Sequence, residues 1–194
     1  MENKLILASS SPRRQALLRL AQLSYHIRIP DLDESIVTGN NPIEKVSELA
    51  KMKNKKISLD NEKEVILAAD TVVSYNQTIF EKPSNKTEAK DMIRSLSGHT
   101  HHVYTGVYIR NSAHERAFVE CTEVSFWELS DEEIDRYVTT KEPYDKAGGY
   151  GIQSLGAMFV KEMVGDYYNV VGLPISRVVR ELRSFSIFPE FDSI

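Results

Sequence analysis

Residues 4–14, KLILASSSPRR, combine the pattern of a short strand with the start signal of a helix. This strand-to-helix turn is the segment that most constrains the prediction of the fold. Lys4 to Ala8 is a short apolar run typical of a buried strand. Ser11 and Pro12 combine an N-cap residue with proline at the first helical position, which predicts a helix to about Ala21. The free N–H groups and the positive dipole end of such a helix suit an anion.

The side chains of the same segment add further groups that can bind phosphate. Ser9 and its neighbours offer hydroxyl donors, and Arg13 and Arg14 can each form paired hydrogen bonds with phosphate oxygens. The chain contains no GxxxxGK[ST] sequence, so this segment is not a P-loop. Taken alone, it could equally be a serine-capped helix with two solvated arginines.

The remaining pattern predicts a mixed α/β fold in which helices lie early and late, around a central set of long strands. Apolar and alternating runs predict the strands, and capping signals predict the helices. No repeat or Pro/Ser-rich linker divides the chain, so we expect residues 1–194 to form one folded unit. The predicted strands are 4–8, 25–29, 65–69, 71–74, 78–80, 103–110, 117–127 and 157–164, and the predicted helices are 11–21, 42–57, 87–96, 130–138 and 174–182.

Composition excludes several classes of protein. The formal charge of −4 argues against a protein that coats nucleic acid through a general positive field. No apolar run approaches the ~20 residues of a membrane span, and the N-terminal residues carry no signal-peptide pattern. Cys121 is the only cysteine, so we expect no intrachain disulfide and a packing role in its strand. These features predict a cytoplasmic protein.

Carboxylates follow two of the predicted strands. Asp70 comes directly after the run 65–69, so we expect it at a strand end, where an open α/β sheet usually places its chemistry. It could ligate Mg²⁺, act as a general base or only cap a turn. One of Asp31, Asp33 and Glu34 could supply a second oxygen to the metal, although such a cluster is often merely solvated.

Cations and a glycine-rich segment complete the candidate site. One of the four lysines near the end of helix 42–57 should face a pocket, and the others should be surface charge. Lys82 precedes a proline and could point inward or lie in an ordinary loop. Residues 144–153, YDKAGGYGIQ, indicate backbone close to a ligand, and Gln153 could hydrogen-bond a base edge. His101 and His102 should face opposite sides of a strand, so shared metal ligation is not expected.

Six segments occur in the order seen in one protein family. They are LILASSSPRR, AADTVV, EKP, LSGHTHHVYTGV, KEPYDKAGGYGIQ and GDYYNVVGLPIS. On these segments, from about Leu5 to Leu182, the chain resembles the Maf nucleotide pyrophosphatases. The resemblance implies a mixed, strongly twisted β-sheet flanked by helices, as in inosine-triphosphate pyrophosphatases. It also implies cleavage between the α- and β-phosphates of a nucleoside triphosphate with a divalent metal cation, Mg²⁺ or Mn²⁺.

The resemblance also implies roles for individual residues. Ser9 and Arg13 match the phosphate-binding opening, and Asp70 matches the proton acceptor. Glu34 matches an acidic catalytic residue that, with Asp70, would bind the metal. Lys53 and Lys82 match the catalytic lysines of the following helix and loop.

Three positions separate the branches of the family, and here they are Arg13, Thr71 and Gln153. This set resembles the branch that acts on dTTP and UTP, whereas the 7-methyl-GTP branch typically has bulkier or acidic residues. Ser154 and Gly149 depart from the common pattern, which leaves fine preference among pyrimidine nucleotides, CTP and modified ones included, open.

Two alternatives remain at this point: the 7-methyl-GTP branch, and a non-catalytic nucleotide-binding regulator of septum formation. The second leaves the Glu34, Lys53, Asp70 and Lys82 set unexplained. The expected partner is a nucleoside triphosphate, without nucleic acid or membrane. The family also suggests a homodimer and a role in cleaning the nucleotide pool.

Overall fold

The computed structural model describes residues 3–191, so Met1, Glu2 and residues 192–194 of the predicted unit 1–194 lie outside the described part. The strands are β1 (Lys4–Leu7), β2 (Tyr25–Ile27), β3 (Glu64–Tyr75), β4 (Thr78–Phe80), β5 (Thr100–Arg110), β6 (Glu115–Phe126) and β7 (Val160–Val164). The helices are α1 (Pro12–Leu20), α2 (Pro42–Lys56), α3 (Lys86–Leu96), α4 (Asp131–Tyr137), α5 (Tyr167–Val171) and α6 (Ile175–Leu182). Short 3₁₀ turns lie at Glu34–Ile36, Pro143–Asp145, Ala147–Gly149, Leu155–Phe159 and Arg183–Phe185.

Within residues 3–191 the strands form one seven-stranded mixed sheet in the order β2-β1-β3-β5-β6-β7, with β4 also paired to β3. β1 runs parallel to β2 and to β3, and the remaining pairs are antiparallel. The predicted hairpin of β3 and β4 is present. Its turn residues Asn76 and Gln77 both have positive φ, the combination that suits a two-residue hairpin turn. The predicted class, a mixed α/β sheet flanked by helices, is confirmed.

One edge of β3 is interrupted, and the interruption positions the functional site. On this edge β3 pairs with β1 up to Leu67 and with β4 from Val73, whereas its other edge pairs with β5 from Ile66 to Ser74. Residues 68–72 therefore face a gap between β1 and β4. Asp70 lies in this gap, in the middle of a continuous strand, so the prediction that it ends a strand was wrong. Its pairing with Gly106 of β5 keeps the backbone extended through the polar residue.

Three apolar clusters enclose the sheet. One packs α1 and α6 against β1, β3 and β5. A second packs α3 and α4 against the far parts of β3, β5 and β6. A third, smaller cluster includes Ile6, Ile66 and Ile57. Burial of each such side chain stabilises the fold by about 1.5–3 kcal/mol. β3 contributes side chains to both of the larger clusters.

α2 packs against β5 at a backbone contact that requires glycine. A Cβ atom added to Gly106 would lie 2.6 Å from the carbonyl carbon of Val46, closer than packed atoms allow. The absence of a side chain at Gly106 thus lets α2 approach the sheet closely. α2 also carries Lys53, so this contact sets how near that lysine lies to β3.

Several predicted elements differ from the structure in detail. β2 ends at Ile27, and β7 begins at Val160 because the preceding residues form the 3₁₀ turn Leu155–Phe159. α5 was not predicted. Cys121 is exposed, because Thr122 and Val124 occupy the buried face of β6 and alternation places Cys121 on the other face. Among the described helices, none combines the length and the apolar character that crossing a bilayer requires.

Candidate active site

A cavity of about 730 Å³ opens at the gap in β3. Its walls come from the segment after β1, the N-terminus of α1, the 3₁₀ turn at 34–36, α2, β3 and the loop 145–154. The volume is in the usual range for a small-molecule site. The structure brings all of the residues predicted for the site to this one cavity: Ser9, Arg13, Arg14, Glu34, Lys53, Asp70, Thr71, Lys82 and Gln153.

The segment between β1 and α1 lines the cavity with three serines, Ser9 to Ser11. Ser11 caps α1, and its side chain accepts a hydrogen bond from the Arg14 N–H at 3.4 Å. The Ser9 hydroxyl accepts a hydrogen bond from the Ser11 N–H at 3.2 Å. Proline at the first position of α1 fixes φ where no N–H is needed. The serine-capped helix start that the sequence predicted directly after β1 is therefore present.

Arg14 is held inside the protein by three hydrogen bonds. Its Nε donates to the Gly172 carbonyl at 2.8 Å, Nη1 to Ser9 Oγ at 3.2 Å and Nη2 to Thr71 Oγ1 at 3.3 Å. Burial lowers the pKa of Arg14, and the negative charge of Asp70 opposes this effect. Arginine starts from so high a pKa that the guanidinium remains charged. Arg14 thus supplies a fixed positive charge behind Ser9 and Thr71.

Lys53 lies between the two carboxylates predicted to be catalytic. Its Nζ is 2.6 Å from Asp70 Oδ1 and 2.9 Å from Glu34 Oε2. Lys53 is only 8% exposed and Asp70 7%, whereas about half of the Glu34 side chain remains exposed. Of the acidic residues after β2, Glu34 lines the cavity, while Asp33 instead caps the 3₁₀ turn by accepting the Ser35 N–H at 3.0 Å.

The other lysines at the end of α2 are exposed, as the sequence predicted for all but one. Lysines recur here at positions 51, 53, 55 and 56, and only the residue at 53 has the helical phase that faces β3. A buried ammonium with two carboxylate partners satisfies its charge without solvent. The arrangement places three charged groups at the floor of one cavity.

The donor set fits a divalent cation that is shared with a substrate. No group of three or more His, Cys, Asp or Glu side chains suited to a metal occurs within residues 3–191. Glu34 and Asp70 nevertheless converge on one point, the Lys53 ammonium. Mg²⁺ is usually held by one or two carboxylates plus substrate phosphates, rather than by a complete protein cage. These two residues could hold such an ion.

Arg13 is joined to the opposite wall of the cavity. Its Nη1 donates to Asp145 Oδ2 at 2.7 Å and its Nη2 to the Asp145 carbonyl at 3.2 Å, while Lys146 Nζ contacts Asp145 Oδ1 at 2.6 Å. Burial alone would raise the pKa of the Asp145 carboxyl, but hydrogen bonds from Lys146 and Arg13 lower it below its usual value. Asp145 belongs to the glycine-rich segment, but the sequence pattern assigns it no role.

The glycines of the loop 145–154 serve packing within the protein. Gly148 has φ 70°, and a Cβ atom there would lie 2.8 Å from Val73 Cγ2 of β3. A Cβ atom on Gly151 would lie 2.6 Å from Lys146 Cε. The sequence predicted a close approach of this backbone to a ligand. At these two positions the close approach is instead to β3 and to the loop itself.

Glu142, which sequence reasoning missed, anchors the turn after Gln153. Its carboxylate accepts the N–H of Leu155 at 3.0 Å and of Gly156 at 2.9 Å, and the Tyr137 hydroxyl donates to it at 3.1 Å. Burial alone would raise the pKa of Glu142, but the hydrogen bonds that it accepts, led by that from Gly156, lower it. The partners lie 13 and 14 residues away, a distance at which no local pattern reveals the contact.

A buried histidine supports the cavity wall at Tyr150. His101 Nε2 lies 2.8 Å from the Tyr150 hydroxyl, and both rings pack edge-on against Phe126. Burial, with a smaller effect of His102, lowers the pKa of His101 to about 3. His101 is therefore a neutral structural partner near neutral pH. His102 is on the opposite face of β5, as the alternation predicted.

The fold has a counterpart among solved structures. A HAM1 protein from Coxiella burnetii superposes with a TM-score of 0.52, covers 95% of this chain and 100% of its own, and is 16% identical. At this identity the likeness concerns the fold alone. This likeness in fold places the chain in the class of mixed α/β proteins with a HAM1-like fold. The cavity lies at the gap in its sheet.

The family follows from the sequence as a whole. The family model described as Maf-like protein matches residues 4–185, and this chain belongs to that family. The dTTP/UTP pyrophosphatase of Bacillus cereus strain G9842 is 52% identical over 184 residues, which cover 95% of this chain and 96% of the relative. That of Bacillus anthracis strain CDC 684 / NRRL 3495 has the same identity and coverage. The resemblance drawn from six segments is confirmed.

Proposed function

We propose that this chain is a nucleoside triphosphate pyrophosphatase that hydrolyses dTTP and UTP to the monophosphate and pyrophosphate. The observation that carries the proposal is the buried Lys53 between Asp70 and Glu34, at the floor of a cavity that also contains the α1 N-terminus. Relatives that are 52% identical bear the name of this activity. A nucleotide-binding regulator without turnover has no use for the paired carboxylates.

The cations of the cavity would bind the triphosphate. Ser9 and the first N–H groups of α1 would donate to phosphate oxygens, and Arg14 would add a charge already fixed by its protein contacts. Arg13 would use the N–H groups that Asp145 leaves free. Lys53 and Lys82 would stabilise negative charge that develops on the departing pyrophosphate.

Asp70 would accept the proton of the attacking water. Its Oδ1 contacts Lys53, which orients the carboxylate and leaves Oδ2 for the water. Glu34 and Asp70 are the residues that would hold Mg²⁺ or Mn²⁺. When bound, the cation supplies Lewis-acid stabilisation of charge on the phosphate oxygens. Removal of the cation with a chelator should therefore abolish turnover.

Base selection would fall to Thr71, Gln153 and Arg13. Thr71 lies in the gap of β3, Gln153 follows the glycine-rich loop, and Arg13 is joined to that loop through Asp145. The proposal further includes a single folded unit over residues 1–194, action in the cytoplasm on the nucleotide pool, and assembly as a homodimer. The single unit is supported by the lack of a linker sequence and the cytoplasmic location by composition, whereas the nucleotide pool and the homodimer are expectations from the family.

The first test measures phosphate and pyrophosphate separately from dTTP, UTP, CTP, GTP and 7-methyl-GTP with Mg²⁺ or Mn²⁺. We expect pyrophosphate from dTTP and UTP, and a rate lower by about 10²–10⁴ in Asp70→Asn if Asp70 is the base. Asp91→Asn, an exposed carboxylate on α3, is the matched control and should retain the wild-type rate.

Other outcomes would contradict parts of the proposal. Turnover of 7-methyl-GTP alone would assign the chain to the other branch. Binding without turnover of any nucleotide would favour the regulator. Near-normal turnover by Asp70→Asn would remove Asp70 from the role of proton acceptor.

A further inference from the structure

A buried row of hydrogen bonds runs behind the cavity wall, from Thr71 through Thr105 to Asn169. Thr71 and Thr105 are directly paired across β3 and β5, and their hydroxyl oxygens lie 2.9 Å apart. Thr105 Oγ1 donates to the backbone carbonyl of Asn169 at 3.0 Å. Thr105 and Asn169 are completely buried, so water does not compete for these bonds. The row ends at Thr71, which lines the cavity.

The chemistry of the row determines which way each hydroxyl points. A carbonyl oxygen can only accept, so the one proton of Thr105 is committed to Asn169. The contact between the two threonines is then a hydrogen bond only if Thr71 donates to Thr105. This is the assignment that satisfies both contacts of the buried Thr105 hydroxyl, and an unsatisfied buried hydroxyl is costly.

The acceptor at the end of the row is itself fixed. Asn169 Nδ2 donates to the Val103 carbonyl and to Thr122 Oγ1, both at 2.9 Å. These bonds tie α5 to β5 and β6. The carbonyl of Asn169 therefore cannot turn away from Thr105 without breaking two further buried hydrogen bonds.

Thr71 consequently offers the cavity an acceptor and no donor. Its proton is used by Thr105, and one lone pair is used by Arg14 Nη2 at 3.3 Å. A hydroxyl oxygen accepts two hydrogen bonds, so one lone pair remains for a ligand. A group of the ligand that faces Thr71 must donate a hydrogen bond to be satisfied there.

We propose that Thr105 is a specificity-determining positioning residue, which fixes Thr71 as an acceptor and so favours a base that presents a ring N–H at this position. The inference rests on the proposed function and on contact between Thr71 and the base. Uracil and thymine carry an N–H at ring position 3, whereas cytosine carries an acceptor nitrogen there. Two acceptors that face each other leave both unsatisfied, which disfavours cytosine.

The test compares kcat/KM for UTP and CTP in single preparations of wild type, Thr105→Val and Thr105→Ser. The valine variant has nearly the same shape but no hydroxyl, so the Thr71 proton becomes free to donate into the cavity. We expect the UTP-to-CTP ratio to fall roughly three- to tenfold in Thr105→Val, the value of one hydrogen bond. Thr105→Ser keeps the hydroxyl and should retain the wild-type ratio. A ratio within one preparation is independent of the fraction of active protein.

A second pair of variants tests whether Thr105 acts through Thr71. Thr71→Val should also lower the ratio, and adding Thr105→Val to it should change the ratio no further. Thr105→Ala serves as a second variant without the hydroxyl if the valine variant folds poorly.

An unchanged ratio in Thr105→Val would overturn the inference and leave the proposed function intact, because wild type would still release pyrophosphate. A ratio lowered equally by valine and serine would also overturn it, since packing and not the hydroxyl would then be responsible. Independent, additive effects of the two valine substitutions would have the same consequence. Absence of turnover in wild type would instead overturn the proposed function on which the inference depends.

Discussion

Mild acid should destabilise the protein through His101. The pKa of His101 is about 3 in the folded protein, because of burial and to a smaller extent because of His102, against 6.5 for an ordinary histidine. Between these values the unfolded chain binds a proton that the folded protein does not, so the free energy of unfolding rises with pH. The contribution is complete above about pH 6.5 and is lost as the pH falls toward 3. From pH 7 to pH 5 the loss is about 2 kcal/mol.

The measurement is urea unfolding at pH 7, 6 and 5 for wild type and for His101→Gln. Glutamine can place a polar group near the Tyr150 hydroxyl but does not titrate. The stability of the variant therefore lacks the pH dependence that His101 gives to wild type. For each protein we compare the change in unfolding free energy between pH 7 and pH 5. Loss of the imidazole ring lowers the stability of the variant equally at both pH values, so it does not affect this change. We expect wild type to lose about 2 kcal/mol more than the variant.

His102→Gln is the matched control, because His102 neighbours His101 but lies on the other face of β5 beside Glu123. This variant should keep the acid sensitivity of wild type. Parallel pH curves for wild type and His101→Gln would refute the reasoning, since the buried imidazole would then titrate as it does in the unfolded chain. Because the pKa of His101 is about 3 in the folded protein, the imidazole stays neutral over this pH range and keeps its contact with Tyr150 at the cavity wall.

Two further predictions concern residues that position the site. Glu142→Gln should raise KM for UTP roughly three- to tenfold and change kcat less. The N–H groups of Leu155 and Gly156 bond to different oxygens of Glu142, and glutamine replaces one of these oxygens by an NH₂ donor. Steady-state kinetics measures both constants. Gly106→Ala should lower the unfolding free energy, measured by urea unfolding, by about 1–3 kcal/mol. The reason is that the added methyl group overlaps the backbone of α2 at Val46. The substitution should also lower kcat, because the shifted helix carries Lys53.

Each of these predictions has its own check. Glu132→Gln is the control for Glu142, because Glu132 is exposed on α4 and pairs with Arg136. The KM of this control variant should match wild type. An unaltered KM in Glu142→Gln would mean that the turn does not set the position of Gln153. Wild-type stability in Gly106→Ala would show that α2 can move outward without cost.

Local patterns predicted where several helices begin, because the causes of a helix start are local. The Ser11 cap and Pro12 begin α1 as expected, and the capping box at Ser130 begins α4. The phase of α2 singles out Lys53 as the buried lysine. At the two caps the interacting groups lie within four residues of one another, which is the range that a sequence pattern describes.

What could not be predicted depends on contacts between distant residues. Asp70 interrupts an apolar run and resembles a strand end, yet pairing with β5 carries the strand through it. Arg13 and Asp145 lie 132 residues apart, and Glu142 contacts a turn that only the folded chain brings to it. The alternating pattern of residues 117–127 predicts strand β6 but does not show which face of the strand is buried. Cys121 was therefore assigned to the buried face, whereas it lies on the exposed one.

The interrupted edge of β3 restricts how this protein can change its selectivity. β3 is held by β1, β4 and β5 at once and contributes to both large apolar clusters. A shift of one residue would turn Asp70 away from the gap and reverse every buried side chain of the strand. Evolution and design are therefore left with two routes to a new base preference: single substitutions at the gap, or remodelling of the loop 145–154. A search for altered specificity should randomise that loop and allow only single substitutions in the strand.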